Sequence, residues 1–258
     1  VTAVKSSMKI IIAPAKKMRV DMDSLPWQEL PRFLPQTEQL LEKLRGMSYD
    51  ELKRLWACND SIAALNAERL RHMELRASLT PAVLAYEGIQ YQYMAPGVMP
   101  ERALAYLQEH LRILSGFYGV LRPFDGVTPY RLEMQARLSL GKAKDLYSFW
   151  GNTLADFLFS ETDCVINLAS KEYSLCVSRY LPASVRLITC VFGELQNGKL
   201  LEKGTLCKMA RGEMVRFLAE TGAEALEELR GFDRLGYRYS PEYSNETAYV
   251  FLKQGNHA

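Results

Sequence analysis

The sequence predicts an α+β fold: a single mixed domain with an irregular sheet flanked by helices, and a candidate helix-hairpin-helix among them. Three observations carry this reading. Strand-length apolar runs, rich in β-branched residues, occur at residues 9–13 (KIIIA), 164–169 (CVINLA) and 185–195. Longer segments between them repeat apolar residues at helical spacing. The two kinds mix without a strict strand–helix–strand rhythm, which disfavours a doubly wound sheet.

In chain order, the run at 9–13 is a buried strand that ends at Pro14. Residues 35–45 form a helix with Leu40, Leu41 and Leu44 on one face. Helices at 49–58 and 60–72 follow, the second opened by Asp60 as its cap. Thr80 and Pro81 read as another helix start, Thr capping and Pro in the first turn. A helix over 100–114 leads into residues 111–134, which hold three glycines, two prolines and three arginines. Glycine opens backbone angles closed to other residues and proline fixes its own, so this stretch reads as a rigid loop that sets its charged side chains in place. Residues 145–159 are helical, and 164–169 and 185–195 are strands. Gln196-Asn197-Gly198-Lys199 signals a tight primed hairpin turn. A helix at 208–220 and strands at 237–239 and 247–253 complete the chain. With no repeat or linker in sight, residues 8–258 form one domain, and 1–7 read as a disordered upstream extension before Met8.

Composition narrows the function classes. The net charge is only +2, so affinity for nucleic acid requires a local patch. Five cysteines, odd in number and without a CxxC pair, fit a reducing cytoplasm rather than a disulfide framework. His72, His110 and His257 are scattered and match no metal-ligand spacing, so no metal and no cofactor is expected. A membrane partner is not expected either, for want of any run of about 18 apolar residues.

Five stretches can carry chemistry. Lys16 and Lys17 follow the first strand, where functional loops gather, and could neutralise a phosphate or carboxylate. Residues 44–55 place Gly46 and Ser48 between two helices, with Lys53 and Arg54 beyond. They resemble a helix-hairpin-helix, whose backbone amides hold a DNA phosphate; equally, Ser48 and Glu51 make a plain capping box. The rigid segment offers Arg122 and Arg131 to phosphate and Asp125 and Glu133 as candidate acids or bases, with Lys144 and Trp150 in its continuation. Tyr130 or Trp150 could stack a base, unless the whole segment is a structural ion-pair network. Asn167, Ser170 and Glu172 emerge at the end of an apolar strand, where Ser170 could simply cap a helix. Lys208 and Arg211, three apart, share a helical face suited to phosphate or to solvent.

Together these motifs resemble the YaaA family of bacterial peroxide-stress proteins. The likeness runs through PAK at 14–16, LSGFYGVLRPFD at 114–125, PYRLEM at 129–134, KDLYSFWG at 144–151, INLASKEY at 166–173 and KMARG at 208–212. The resemblance implies a protein that limits oxidative damage by keeping free iron low. It further implies sequence-independent binding of double-stranded DNA through a basic cleft and a helix-hairpin-helix. On this chain those contacts fall on Gly46, Ser48, Lys53 and Arg54, and on Lys16, Arg122, Arg131, Lys144, Lys208 and Arg211. No clustered metal ligands appear, so any effect on iron is expected to be indirect. The rival expectation is an enzyme on a nucleotide or other phosphorylated small molecule, with Glu133, Glu172 or Asp125 handling protons. A third is a structural role for the same motifs.

Overall fold

A computed structural model describes residues 7–254; most of the expected N-terminal extension, residues 1–6, and His257 lie outside them. The chain opens with β1 (Lys9–Ile12) and β2 (Lys17–Met18), then three helices, α1 (Leu34–Arg45), α2 (Tyr49–Trp56) and α3 (Asp60–His72). Next come β3 (Thr80–Pro81), α4 (Ala82–Ala85), β4 (Tyr86–Glu87) and α5 (Ile89–Met94). Helix α6 (Glu101–His110) runs directly into β5 (Leu111–Ser115), followed by β6 (Gly119–Leu121) and β7 (Gly126–Val127). Two helices, α7 (Leu146–Trp150) and α8 (Thr153–Glu161), lead to β8 (Cys164–Leu168) and α9 (Lys171–Ser178). The hairpin of β9 (Arg186–Gln196) and β10 (Lys199–Leu201) feeds the long α10 (Gly204–Thr221), before β11 (Tyr237–Tyr239) and β12 (Ala248–Lys253) close the fold.

One eight-stranded sheet runs β11-β12-β9-β8-β1-β5-β6, with β10 on β9, so the α+β expectation holds in a mixed sheet. Its five central strands are parallel and its edges antiparallel. Strand β1 sits between β5 and β8, and Ile10, Ile11 and Ile12 are fully buried. That burial on both faces explains an apolar run without alternation. Lys9 is buried at its start because the ammonium donates to the Glu109 carbonyl at 2.8 Å and to the Glu109 carboxylate at 2.9 Å.

The connections leave β1 toward β5 on one side and return toward β8 on the other. In open parallel sheets a crevice forms where the direction reverses, at the C-terminal strand ends. Here those ends are the loop after Ile12 and the turn after Leu168.

Several elements differ from expectation. The helix expected over 100–114 stops at His110, because Leu111 and Ile113 pair with β1 as a buried strand. The "rigid loop" is therefore partly sheet, with residues 128–134 at its end outside any strand. Thr80 does not cap a helix: it bridges β7, and its hydroxyl accepts from the Asp21 amide at 2.9 Å. Asn59, not Asp60, caps α3 by accepting from the Ile62 amide at 3.0 Å. Gly151, at φ +51°, breaks the helix expected over 145–159 into α7 and α8. The Asn197-Gly198 turn forms as expected, with φ of +50° and +74°.

Candidate functional site

A cavity of about 500 Å³ opens where the sheet reverses, beside the ends of β1 and β8. Four further pieces complete it: the β4–α5 corner, the segment from Tyr130 to Glu133, the start of α9, and one face of α10. Each piece is held by a specific contact. Lys17 stands opposite Glu87 in the β2–β4 ribbon, and their side chains pair at 3.2 Å. The Tyr91 hydroxyl donates to the Ala13 carbonyl at 2.9 Å, tying α5 to the loop after β1. Tyr130 sits between Ser115 at 2.6 Å and Tyr86 at 2.8 Å, and burial pushes its pKa up to about 12, so it stays neutral. Helix α10 touches α5 so closely that only a glycine fits at 212, where an added Cβ would lie 2.2 Å from the Gln90 carbonyl oxygen.

Five cations and three carboxylates line the cavity. Lys16 pairs with Glu133 at 2.8 Å, and Lys17 with Glu87. Glu172 accepts from the Gln135 amide at 3.2 Å; burial raises its pKa, and the nearby Glu133 charge adds to the rise. Lys208, Arg131 and Arg211 have no carboxylate partner among the described residues. Four buried side-chain polar atoms in the described structure lack a hydrogen-bond partner, and three belong to cavity residues: Gln90 Nε2, Arg131 Nε and Arg211 Nε. Buried donors are ordinarily satisfied, so three orphaned ones on the residues of one cavity single it out as the candidate site.

A family model described as peroxide stress protein YaaA matches residues 8–243. The chain belongs to the YaaA family. It is 56% identical over 246 residues to a UPF0246 protein of Lachnoclostridium phytofermentans, covering 95% of this chain and 96% of that relative. UPF0246 proteins of Pediococcus pentosaceus and Agathobacter rectalis are each 52% identical, with 97% and 96% of this chain and 100% and 99% of the relatives aligned.

In this YaaA-family chain, nine residues singled out from sequence meet in the cavity: Lys16, Lys17, Tyr130, Arg131, Glu133, Ser170, Glu172, Lys208 and Arg211. Ser170 precedes α9 as its N-cap residue, yet its hydroxyl makes no capping bond. Asn167 lies outside the lining. It is a buried brace whose amide donates to Thr189 Oγ1 at 3.1 Å and whose oxygen accepts from the Ala169 amide at 3.0 Å. Lys144 is exposed beside α7 and also outside the cavity. Trp150 is 1% exposed and donates to the Gly116 carbonyl at 3.0 Å, so it cannot stack a base.

The α1–α2 hairpin forms, with Gly46 in ordinary right-handed geometry. Its capping box is closed: Ser48 accepts from the Glu51 amide at 3.3 Å, and Glu51 accepts from the Ser48 amide at 2.7 Å. Those amides are engaged within the protein. Lys53 pairs with Asp60 at 2.5 Å, while Arg54 is exposed beside an open groove next to α2. Sequence reasoning missed Gln90 and Tyr91. Both sit in a short helix whose aromatic-rich pattern reads as core, and nothing local marks them as cavity-facing.

Arg122 and Asp125 lie elsewhere, in a separate cavity of about 260 Å³ with Glu29, to which Arg122 is paired. Asp125 is 3% exposed and accepts from the Arg122 amide at 2.9 Å. Burial raises its pKa to about 7 against the lowering by Arg122. Because the folded value lies above the unfolded one, the stability tied to this proton is full below about pH 4 and is lost as pH rises through about 7. Asp125→Asn keeps an acceptor for the Arg122 amide but carries no charge. Its urea midpoint is therefore expected to gain on wild type between pH 5 and pH 8. An unchanged difference across that range contradicts the assignment.

Among the described residues, no group of three His, Cys, Asp or Glu side chains is placed to hold a metal, and no helix is long and apolar enough to cross a membrane.

Proposed function

We propose that this protein acts in the cytoplasmic response to peroxide by holding the phosphates of double-stranded DNA in this cleft, without reading sequence. The observation that carries the reading is the convergence of Arg131, Arg211 and Lys208, all without carboxylate partners among the described residues, from two distant parts of the chain. Guanidinium groups suit phosphate because their forked donors match its oxygens. Lys16 and Lys17, with side chains 65% and 79% exposed, add charge at the rim, where a duplex backbone can reach. Their pairing to Glu133 and Glu87 moderates that charge, consistent with the small net charge of the chain. The α1–α2 hairpin supports the reading through the exposed Arg54 rather than through its engaged amides.

Binding of this kind releases counterions, so affinity for unrelated duplexes is expected to be similar and to fall steeply with salt. Lys208→Ala should weaken every duplex alike and reduce the slope of log affinity against log salt by about one. Fluorescence anisotropy over a salt series reads both. Affinity that is independent of salt, or a slope unmoved in Lys208→Ala, counts against the cleft as the DNA site.

A further inference from the structure

The cavity has two tiers with different chemistry. At the rim stand the exposed lysines; the floor holds Gln90, 7% exposed, with its amide nitrogen unpartnered. A duplex backbone meets the rim, but the bases of a paired helix remain stacked inside it. An unpartnered buried amide therefore has no use in backbone binding. It needs an acceptor on a ligand small enough to enter.

We infer that the floor of the cavity is a binding site for a free ribonucleoside phosphate, with Gln90 as the residue that reads the base. The inference rests on the reading of the cationic face as a phosphate site. Three further features support it. A cavity of about 500 Å³ falls within the range of small-molecule sites, roughly 300–1,000 Å³. The hydroxyls of Tyr91 and Tyr130 are engaged by Ala13, Ser115 and Tyr86 and both rings are buried, so these residues give the cavity an apolar wall that does not compete for the polar edge of a base. Glu133 and Glu172 supply acceptors that phosphate repels but sugar hydroxyls satisfy, as acidic residues do for ribose in nucleotide sites.

The polarity of the site follows from α10. The close contact at Gly212 sets Gln90 against the turn that carries Arg211 and Lys208. Ser170, whose hydroxyl makes no capping bond at the start of α9, completes the phosphate end at a helix N-terminus. The base amide and the phosphate cations are thus neighbours in one small space. A duplex gives no ribose hydroxyl and no free base edge to this floor, so the site distinguishes a nucleotide from DNA.

Thermal shift with AMP, GMP, CMP, UMP, their deoxy counterparts, ribose 5-phosphate and inorganic phosphate tests the assignment. At saturating concentration, at least one ribonucleoside monophosphate should raise Tm by about 2 °C or more beyond ribose 5-phosphate and inorganic phosphate. Gln90→Leu should remove that excess and keep the response to inorganic phosphate, which also reports that the variant is folded. Arg211→Met should remove both responses. If inorganic phosphate reproduces the whole nucleotide shift, if Gln90→Leu leaves it unchanged, or if no nucleotide shifts Tm, the inference is overturned. Duplex binding measured on the same proteins separates the two readings. Salt-dependent DNA binding without any nucleotide response keeps the DNA site and removes this one; nucleotide binding without DNA binding does the reverse.

Discussion

Replacing Gly212 by alanine is expected to lower stability by about 3 kcal/mol and to abolish binding in the cleft with it. The added Cβ would stand 2.2 Å from the Gln90 carbonyl oxygen, 2.9 Å from Tyr93 Cβ and 3.0 Å from the Met94 amide nitrogen. None of these is the far end of a flexible side chain, so no rotamer change relieves the overlap. Helix α10 must move off α5 instead. Because α10 carries Lys208 and Arg211 while α5 carries Gln90 and Tyr91, that movement pulls apart the two faces of the cavity. Urea unfolding and duplex binding, measured on one preparation, read the two effects. A urea midpoint unchanged from wild type means the helices can part at little cost and contradicts the expectation.

Arg211→Met is expected to act in opposite directions on stability and on binding. The guanidinium Nε is buried without a partner, and such a donor costs about 1–3 kcal/mol relative to a satisfied or absent one. Methionine follows a similar path without that donor, so the free protein should gain about 1 kcal/mol of stability. Duplex affinity should fall by roughly 10- to 150-fold, since a charge-assisted hydrogen bond to phosphate is worth about 1.5–3 kcal/mol. Stability given up at a site is a common mark of function. A variant both less stable and equally able to bind would mean that Arg211 is a structural residue. Arg131 offers the same comparison in weaker form, because one guanidinium nitrogen already donates to the Trp56 carbonyl at 3.5 Å.

Much of the site was legible before the fold was known. Lys16, Ser170 and Glu172 follow apolar strands, and strand ends are where loops carry function, so strand position alone pointed to them. Lys208 and Arg211 were marked by their spacing of three on a helix. Arg122 and Asp125 carried the same local signals as Arg131 and Glu133, sharing one stretch rich in glycine and proline. The backbone folds that stretch into β6, β7 and a turn, so its two charged pairs end in different cavities. Spacing along a chain cannot report that separation.

Gln90 shows the converse. Its neighbours Ile89, Tyr91 and Met94 read as core, and its place in the cavity lining depends on α10, more than 100 residues away in the chain. Similarly, residues 111–114 read as the end of a helix, because the strand that captures them, β1, lies about 100 residues earlier.

Local pattern was therefore enough for the α+β class, the helices α1 to α3, the buried strands β1 and β8 and the Asn197-Gly198 turn. Each depends on interactions within a few residues, where periodicity, capping and turn preference act. Tertiary structure alone decided the order of the parallel strands, the reversal that opens the cavity, the exclusion of Arg122, Asp125 and Asn167 from it, and the inclusion of Gln90. Those outcomes follow from strand pairing and helix packing between distant segments, whose energies are not written in any one window of sequence.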